Sequence, residues 1–589
     1  MSGSFFCPLP HRMLSETINL ISLRFLAKSP LMDNYSIADN FSLLSKLMDI
    51  HGEDSFKAKS FASAAFTIEK LPLQLKDTAA EEIARIKGIG SSTNKAIQEM
   101  LLTGRLSLLE TFVTKTPPGI LEMLKIKGLG PKKIAAIWKE LEVENLGELL
   151  YACNENRLML LKGFGQKTQD SVQQSIEFYF SNRERFLYAE VATLALDLEK
   201  RLQQALAPAP VSLTGHVRRT EIIIDEIALV AGAAPTVIQQ HLGPIPEFKL
   251  LEETMESQLW QHEQLVKIRI YPCQPDDFAK TLFVTTADTA FLEHFDAAGN
   301  ASVFLEGSRT EAEIFEKAGL DYIEPCMRNG GLAIDLAQRK QLPLLIKPED
   351  IKGIIHSHSQ WSDGLHSLEA MAVAAKAQGL EYLVISDHSR SAFYANGLSI
   401  ERVQEQHAQI DELNKKLAPF RIFKSIEADI LNDGSLDYPD EVLASFDLVI
   451  ASVHSNLKMT EEKAMARLLK AIENPYTTIL GHMTGRLLLS RNGYPVNHQQ
   501  IIDACVAHGV VIELNAHPRR LDIDWQWLPY ALEKHALISI DPDAHSIDGF
   551  ADTYYGTLAA RKGGLTKERN LSSFSREALE AFLQARKKY

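Results

Sequence analysis

The chain has 589 residues, 23% of them charged and 45% hydrophobic, which suggests three or four ordinary globular domains and excludes a disordered, collagen-like or coiled-coil chain. Sixty-two Lys and Arg stand against 76 Asp and Glu, a formal net charge of −14, so a uniformly basic nucleic-acid coat is excluded and any nucleic acid has to be held by local patches, backbone amides or metal. No run approaches the ~18 uninterrupted apolar residues of a membrane span, and five scattered cysteines without a C-x-x-C pair fit a reducing cytoplasm rather than a disulfide framework or a thiolate zinc site.

Residues 1–31 lack the clean hydrophobic core of a signal peptide, because Arg12 and Arg24 interrupt the apolar stretch, and they read as a loose N-terminal extension. From Met32 the spacing of Ile37, Phe41, Leu44 and Leu47 predicts an amphipathic helix. Between 80 and 180 one pattern recurs three times: Ile86-Lys87-Gly88-Ile89-Gly90, Ile126-Lys127-Gly128-Leu129-Gly130 and Leu161-Lys162-Gly163-Phe164-Gly165. Helical sequence flanks each copy. The glycines permit a tight turn with positive φ and let another backbone come close. The turn leaves amides at a helix N-terminus as a phosphate seat. Residues 81–175 hold 13 Lys and Arg against 11 Asp and Glu, so backbone amides have to do most of the binding, assisted by lysines such as Lys127 and Lys132. This is the helix-hairpin-helix pattern of sequence-independent DNA binding; for a single copy, packing with glycine caps is the alternative.

Residues 185–345 read as mixed α/β, with a helix over Ala189–Leu206 and strand-like runs at Glu221–Val230 and Leu265–Tyr271. Nucleotidyl transfer needs carboxylates clustered on adjacent strands to hold two Mg²⁺ ions. The candidate stretch is Gly215-His216-Val217-Arg218-Arg219 followed by Asp225-Glu226-Ile227. Together with the hairpins it resembles an X-family DNA polymerase of the bacterial type, in which Gly-Ser-x-Arg-Arg precedes Asp-x-Asp on one strand and a third Asp on another. Gly215, Arg218 and Arg219 match, His216 replaces the serine, and Asp225 matches the first carboxylate. The resemblance puts Ile227 and Lys267 at the other two carboxylate positions, and Ala96 where some members carry a lyase lysine. Isoleucine cannot ligate Mg²⁺ and lysine repels it, so polymerase chemistry is expected to be lost and the region retained as a scaffold that grips gapped or nicked DNA. Strand alternation aims Glu226 at the opposite face, so an active polymerase would need Glu226 together with carboxylates not recognised in the sequence.

Twelve of the 18 histidines fall between His356 and His545. Here short apolar runs alternate with amphipathic stretches, which predicts a parallel β/α array. The runs end in turn at His356-Ser-His358, Asp387-His388, Glu427, His454, His482, Asn515 and Asp543-Ala-His545. In a β/α barrel the C-terminal strand ends form the active-site face. His-x-His places two imidazoles on one side of a strand, and Asp363 follows on the loop beyond. Mixed imidazole and carboxylate donors suit Zn²⁺, Mn²⁺ or Fe²⁺, and their number exceeds one ion's coordination sphere, so two or three divalent ions are implied. Such clusters polarise phosphoryl oxygens and acidify water, which points to phosphoester hydrolysis. The constellation resembles the PHP (polymerase and histidinol phosphatase) domain, a distorted seven-stranded β/α barrel. The resemblance assigns metal ligation to His356, His358, Asp363, His388, Glu427, His454, His482, Asp543 and His545. Asp387 is expected to orient its neighbouring ligand, and Arg486 and Arg519 to grip substrate phosphate.

The expected architecture is multidomain α/β. A loose extension (1–31) precedes a helical domain with the first hairpin (32–115), further hairpins (116–184), a degenerate palm-like region (185–338), a linker (339–350) and the PHP barrel (351–589). The resemblance implies a bacterial cytoplasmic, nucleoid-associated monomer that processes gapped, nicked or single-stranded 3′ ends of DNA as a 3′–5′ exonuclease, 3′-phosphatase or abasic-site endonuclease in base-excision repair. Three alternatives stay open: a gap-filling polymerase that is still active, a small-molecule phosphatase of the histidinol-phosphatase type, and a non-catalytic DNA-binding scaffold.

Overall fold

The computed structural model describes residues 32–586 apart from 54, 72, 264, 265, 298 and 300. The expected extension over 1–31, and Leu265 at the start of an expected strand, lie outside the described residues. The chain forms two compact units that divide between Arg183 and Glu184.

The first unit is helical. Helix α1 (Asn34–His51) starts where the Asp33 side chain accepts the Ser36 amide at 2.8 Å and stops at Gly52, whose φ of 80° only a residue without Cβ adopts freely. Its predicted apolar stripe, Ile37, Phe41, Leu44 and Leu47, is buried in a core that runs on through Ile97, Ile134 and Val172 to Ile176. That core crosses the expected border at 115/116, so 32–115 and 116–184 pack as one body rather than two. The apolar residue in the middle of each hairpin, Ile89, Leu129 or Phe164, is buried in the same core. Each hairpin leads into a helix: α2 (Ser91–Thr103), α3 (Pro131–Leu141) and α4 (Gln166–Ser181).

The second unit begins with a short antiparallel pair, β1 (Phe186–Leu187) with β3 (Ile223–Ile224), around helix α5 (Tyr188–Ala205). A five-stranded sheet follows in the order β2 (Val211–Thr214), β4 (Glu226–Ala231), β7 (Lys267–Pro272), β6 (Gln258–His262) and β5 (Phe248–Glu253). Beside it a phenylalanine-rich core, Phe283, Phe291, Phe295 and Phe315, packs α6 (Phe278–Thr286) against α7 (Glu311–Lys317). The expected linker is not free chain: Leu345 and Ile346 are buried, and the Ile346 amide donates to the Leu565 carbonyl at 2.9 Å.

Seven parallel strands complete the unit in chain order: β8 (Gly353–Ile354), β9 (Tyr382–Ile385), β10 (Arg421–Asp429), β11 (Leu448–Ser452), β12 (Ile479–Leu480), β13 (Val511–Asn515) and β14 (Ile538–Asp541). The open edges meet beyond the last hydrogen-bonded strand pair. His358 N donates to Ala544 O at 2.8 Å and Ala544 N to His356 O at 3.2 Å, so the sheet is a nearly closed barrel. Strands β9 and β11 are buried at every position, which is why they read as unbroken apolar runs. Serine, threonine or asparagine caps the intervening helices: Ser367 on α8 (Leu368–Ala377), Ser399 on α9 (Ile400–Leu417), Thr460 on α10 (Glu461–Ile472) and Asn497 on α11 (His498–His508). Among the described residues no helix is long and apolar enough to cross a membrane.

Candidate metal centre

All seven barrel strands deliver polar side chains at their C-terminal ends, and these converge on Glu427 of β10. His388 Nδ1 lies 2.9 Å from one Glu427 oxygen; His454 Nε2 at 3.0 Å, His482 Nε2 at 3.1 Å and His356 Nε2 at 3.3 Å lie near the other. Asp543 bridges His358 at 3.1 Å and His356 at 3.5 Å, while Asp363 lies 3.5 Å from His545 and 3.7 Å from His388. The nine predicted ligands therefore form one cluster. Within it three overlapping sets have donor atoms within 4.8 Å of one another: His358, Asp363, His388 and His545; His356, His358 and Asp543; His388, Glu427 and His454. His482 joins through Glu427.

The donor atoms fit divalent cations better than they fit one another. His356 Nε2, His358 Nδ1, His388 Nδ1, Glu427 Oε2 and His482 Nδ1 are buried and make no hydrogen bond, an arrangement that is costly in an apolar interior unless a cation shares the site. His356 and Asp543, paired across the barrel closure, also hold φ values of 61° and 53°, a left-handed backbone that L-residues adopt at a cost of about 1–2 kcal/mol.

Protons do part of the balancing. Burial opposes charge on His356, but the Glu513, Asp543 and Glu427 carboxylates outweigh it and hold the ring well above the ordinary imidazole value. Against desolvation, Glu427 and Asp429 raise His454 to about 10, and Asp363 and Asp543 raise His545 to about 9. His358 goes the other way, to about 3, because burial is joined by the His545 and His388 charges. The reciprocal effect holds Asp363 at about 2, and Glu427 and Asp543 well below ordinary carboxylates, despite their burial.

Two supporting carboxylates escape sequence reasoning. Glu513 on β13 takes a hydrogen bond from His356 Nδ1 through one oxygen and from the His482 amide, at 2.5 Å, through the other. Asp429, two residues beyond Glu427 on the same strand face, holds His454 Nδ1 at 2.5 Å. Each fixes which ring nitrogen faces the pocket. The only available signal was position: both lie at or near the end of a barrel strand.

Three expected roles change. Asp387 does not orient the His388 ring; its buried carboxylate accepts from Ser359 N and Oγ at 2.8 Å, Ser362 Oγ at 2.6 Å and Gln406 Nε2 at 2.7 Å, which locks the loop that presents Asp363. Arg486 has its donors engaged by Asp524 and by the Arg520 and Leu521 carbonyls, so it braces a loop. Arg519 reaches within 4.0 Å of Glu190 on α5. Arg520 is the arginine that approaches the donors, with Nε 3.8 Å from Asp543, and Asn515 donates to the same carboxylate at 3.2 Å. His366 lies half-buried outside the cluster, its Nδ1 accepting from the Ile547 amide at 3.4 Å. On the pocket rim the Tyr394 phenol is pushed upward by desolvation and by the Asp429, Glu427 and Asp363 charges.

The hairpins share one geometry. Gly88, Gly128 and Gly163 hold φ values of 99°, 89° and 88°. The following amides of Ile89, Leu129 and Phe164 close the turn onto Ile86, Ile126 and Leu161, each at 3.1 Å. Gly90, Gly130 and Gly165 then open α2, α3 and α4 with no side-chain cap, so the first helical amides are unsatisfied by the chain. A Cβ at Gly130 or Gly165 would meet nothing within 4 Å. The fold itself does not demand glycine there; a close-approaching partner would. Lys127 and Lys132 are exposed beside the second turn.

The palm differs. Arg218 forks onto Glu311 at 2.9 and 2.5 Å, Glu311 also holds the fully buried Arg328, and Arg219 donates to Glu221 and Asn329 at 3.1 Å each. Buried Lys562, from the barrel side, donates to Glu221 at 3.0 Å and to the Arg219 carbonyl at 3.1 Å. Asp225 is taken by Arg185 at 3.0 Å, Lys267 by Glu184 at 2.8 Å and Glu226 by Arg269 at 2.7 Å. Ile227 is buried in register with Ile268, and Lys267 is in register with Glu226. In the first unit Ala96 is buried and Lys95 exposed.

Comparison with known proteins accords with this arrangement. A helix-hairpin-helix domain model matches residues 32–106, and a SAM-like helix-hairpin-helix tandem model matches 120–177. Probable phosphatases are similar over shorter stretches: one from Caldanaerobacter subterraneus is 28% identical over 23% of this chain and 51% of its own length, and one from Acetivibrio thermocellus is 30% identical over 28% and 64%. The DNA polymerase/3′-5′ exonuclease PolX of Bacillus subtilis is 33% identical over 91% of this chain and 97% of its own length. With hairpins, palm and metal-donor barrel in the same order along one polypeptide, the chain belongs to the PolX family, the bacterial X-family DNA polymerases that carry a C-terminal PHP domain.

Proposed function

We propose that this protein hydrolyses phosphoesters at DNA 3′ ends as a metal-dependent 3′–5′ exonuclease, and that it has given up templated polymerisation. One observation carries the reading: nine donors from the ends of six of the seven barrel strands meet in one cluster around Glu427, in a chain that also holds three open helix-hairpin-helix turns. His356, His358, Asp363, His388, Glu427, His454, His482, Asp543 and His545 would hold two or three divalent ions, Mn²⁺, Zn²⁺ or Fe²⁺, which supply Lewis-acid polarisation of the phosphoryl group and an activated water. Glu513 and Asp429 keep His356 and His454 turned toward Glu427. Arg520 is the cation best placed to receive a substrate phosphate. The hairpin amides grip backbone phosphates and not bases, so binding is independent of sequence. Loss of polymerisation is supported by the palm, where Arg218, Arg219 and Asp225 are spent on partners within the chain and Ile227 offers no donor. Repair of gapped, nicked or abasic DNA by a cytoplasmic, nucleoid-associated monomer is the setting this chemistry suits.

Alanine at both His356 and His358 is expected to abolish Mn²⁺-dependent shortening of a 5′-labelled oligonucleotide, and full activity in that double variant refutes the assignment. Primer extension on gapped DNA with nucleotides and Mn²⁺ tests the lost polymerase; extension by the wild type overturns that half. Abasic-site cleavage is read from nicking of a duplex with one abasic residue. Similarity to probable phosphatases favours a second reading, hydrolysis of a small phosphomonoester. Faster turnover of histidinol phosphate than of single-stranded DNA would select it.

A further inference from the structure

On the rim of the metal-donor cluster, immediately after His388, a short turn inverts the usual arrangement of side chains. Ala392 and Ala395 point inward at 0% and 1% exposure, while Phe393 and Tyr394 stand outward at 89% and 71%. Small residues buried beneath two exposed aromatic rings run against the ordinary preference, which hides the large apolar group and leaves the small one outside. A floppy loop would not maintain such an inversion, but this turn is well fastened. Leu398 N donates to His388 O at 2.9 Å, Gly397 N to Ala392 O at 3.1 Å, and Asn396, in the left-handed region at φ 56°, donates to the Trp361 and Ser362 carbonyls at 3.3 and 3.4 Å. The place of a Cβ on Gly397 is filled by the Ser389 carbonyl oxygen, 1.9 Å away, so the turn packs closely enough there to require glycine. The aromatic pair is thus tied both to the ligand His388 and to the loop that carries Asp363. The Tyr394 ring centroid lies 6.2 Å from that of His388. Arg390, exposed on the same turn, adds a cation.

We propose that Phe393 and Tyr394 form a stacking platform for the unpaired terminal bases of a DNA 3′ end, and so set the enzyme's preference for a frayed or single-stranded terminus. This rests on the 3′-end reading above and deepens it. Aromatic faces accept any base, which matches the sequence-blind grip of the hairpins, and an unpaired base is the flat apolar partner such rings lack. A terminus stacked here keeps its last phosphodiester beside the donors; a paired terminus has no free face to offer.

The full-length protein in EDTA is titrated with a short single strand carrying 2-aminopurine at its 3′ terminus, and with the same strand ending in an abasic sugar. Wild type is expected to quench the terminal fluorophore. Phe393→Ala and Tyr394→Ala are expected to lose the quench and bind roughly tenfold more weakly, the scale of one lost base stack. Phe393→Trp is expected to restore both. On the abasic-ended strand the alanine variants and wild type are expected to bind alike. An undiminished quench in the double alanine variant, or an equal loss of affinity on the abasic-ended strand, overturns the platform. Mn²⁺-dependent shortening of the same oligonucleotide by wild type is measured alongside. Shortening with an unaltered quench in the variants sinks the platform alone, and absence of shortening sinks the 3′-end reading with it.

Discussion

The palm and the barrel both look like places for divalent cations, and they handle charge in opposite ways. In the palm the two acidic candidates already have a cation from the chain, Asp225 from Arg185 and Glu226 from Arg269, and the neighbouring Glu311 has two arginines. In the barrel the acidic groups face imidazoles, whose charge is optional, and buried nitrogens and an oxygen of Glu427 are left without hydrogen bonds. A site kept for ions from solution presents donors that are poorly satisfied by one another. The palm carboxylates are balanced from within, by the buried Arg328–Glu311 pair, which is costly to break, and by the more exposed Asp225–Arg185 and Glu226–Arg269 pairs.

Removing the hub of the barrel tests the contrast most severely. Glu427→Ala is expected to lower Mn²⁺-dependent 3′-end hydrolysis by roughly 10³-fold or more, because the metal's several kcal/mol of transition-state stabilisation goes with it; elemental analysis should show fewer ions per chain. The matching cut in the palm should damage the fold rather than the chemistry. Glu311→Ala leaves Arg328 buried among Phe283, Phe315 and Tyr322 without its carboxylate, and is expected to cost about 3–5 kcal/mol by denaturant melt. Rebuilding the missing carboxylates sharpens the same point. Ile227→Asp together with Lys267→Asp is expected to lower stability by about 3 kcal/mol, since the first of these places a carboxylate where the Ile227 side chain is fully buried, and to yield no primer extension.

Subtler changes act through the supporting residues. Glu513→Gln keeps the volume but weakens the hold on His356, and a 10- to 100-fold loss of metal affinity or activity is expected, about the usual size for a ligand's own partner. The smallest effect concerns protons. With His454 raised to about 10 and His545 to about 9 in the metal-free chain, both rings are protonated at neutral pH. Their contribution to stability is present below the ordinary imidazole value and is lost as pH rises through 9 to 10. Ligation needs the neutral ring, so metal loading releases protons and tightens with pH, roughly tenfold per unit for each proton displaced. Calorimetry in buffers of different ionisation enthalpy reads the proton count, and a count of zero at neutral pH contradicts the assignment.

What could be read from residue order alone was whatever repeats or alternates locally. The three glycine turns were legible because each is a few residues long and dictates its own backbone, and the nine donors because strand–helix alternation brings every strand's end to one face. Partners were not legible. Nothing in the order of residues says that Glu513 belongs to His356, that Arg520 and not Arg486 or Arg519 nears Asp543, or that the segment 339–350 docks instead of hanging free.

The reason is one of range. Turn chemistry, capping and hydrophobic period are set by neighbours along the chain, so residue order fixes the hairpins, the barrel's strands and the kinds of donor they end in. Which side chains then neutralise, orient or expose one another depends on groups brought within a few ångströms by folding, and that paired the palm's charges with one another, left the barrel's donors clustered and poorly satisfied, and set two aromatic rings on the rim.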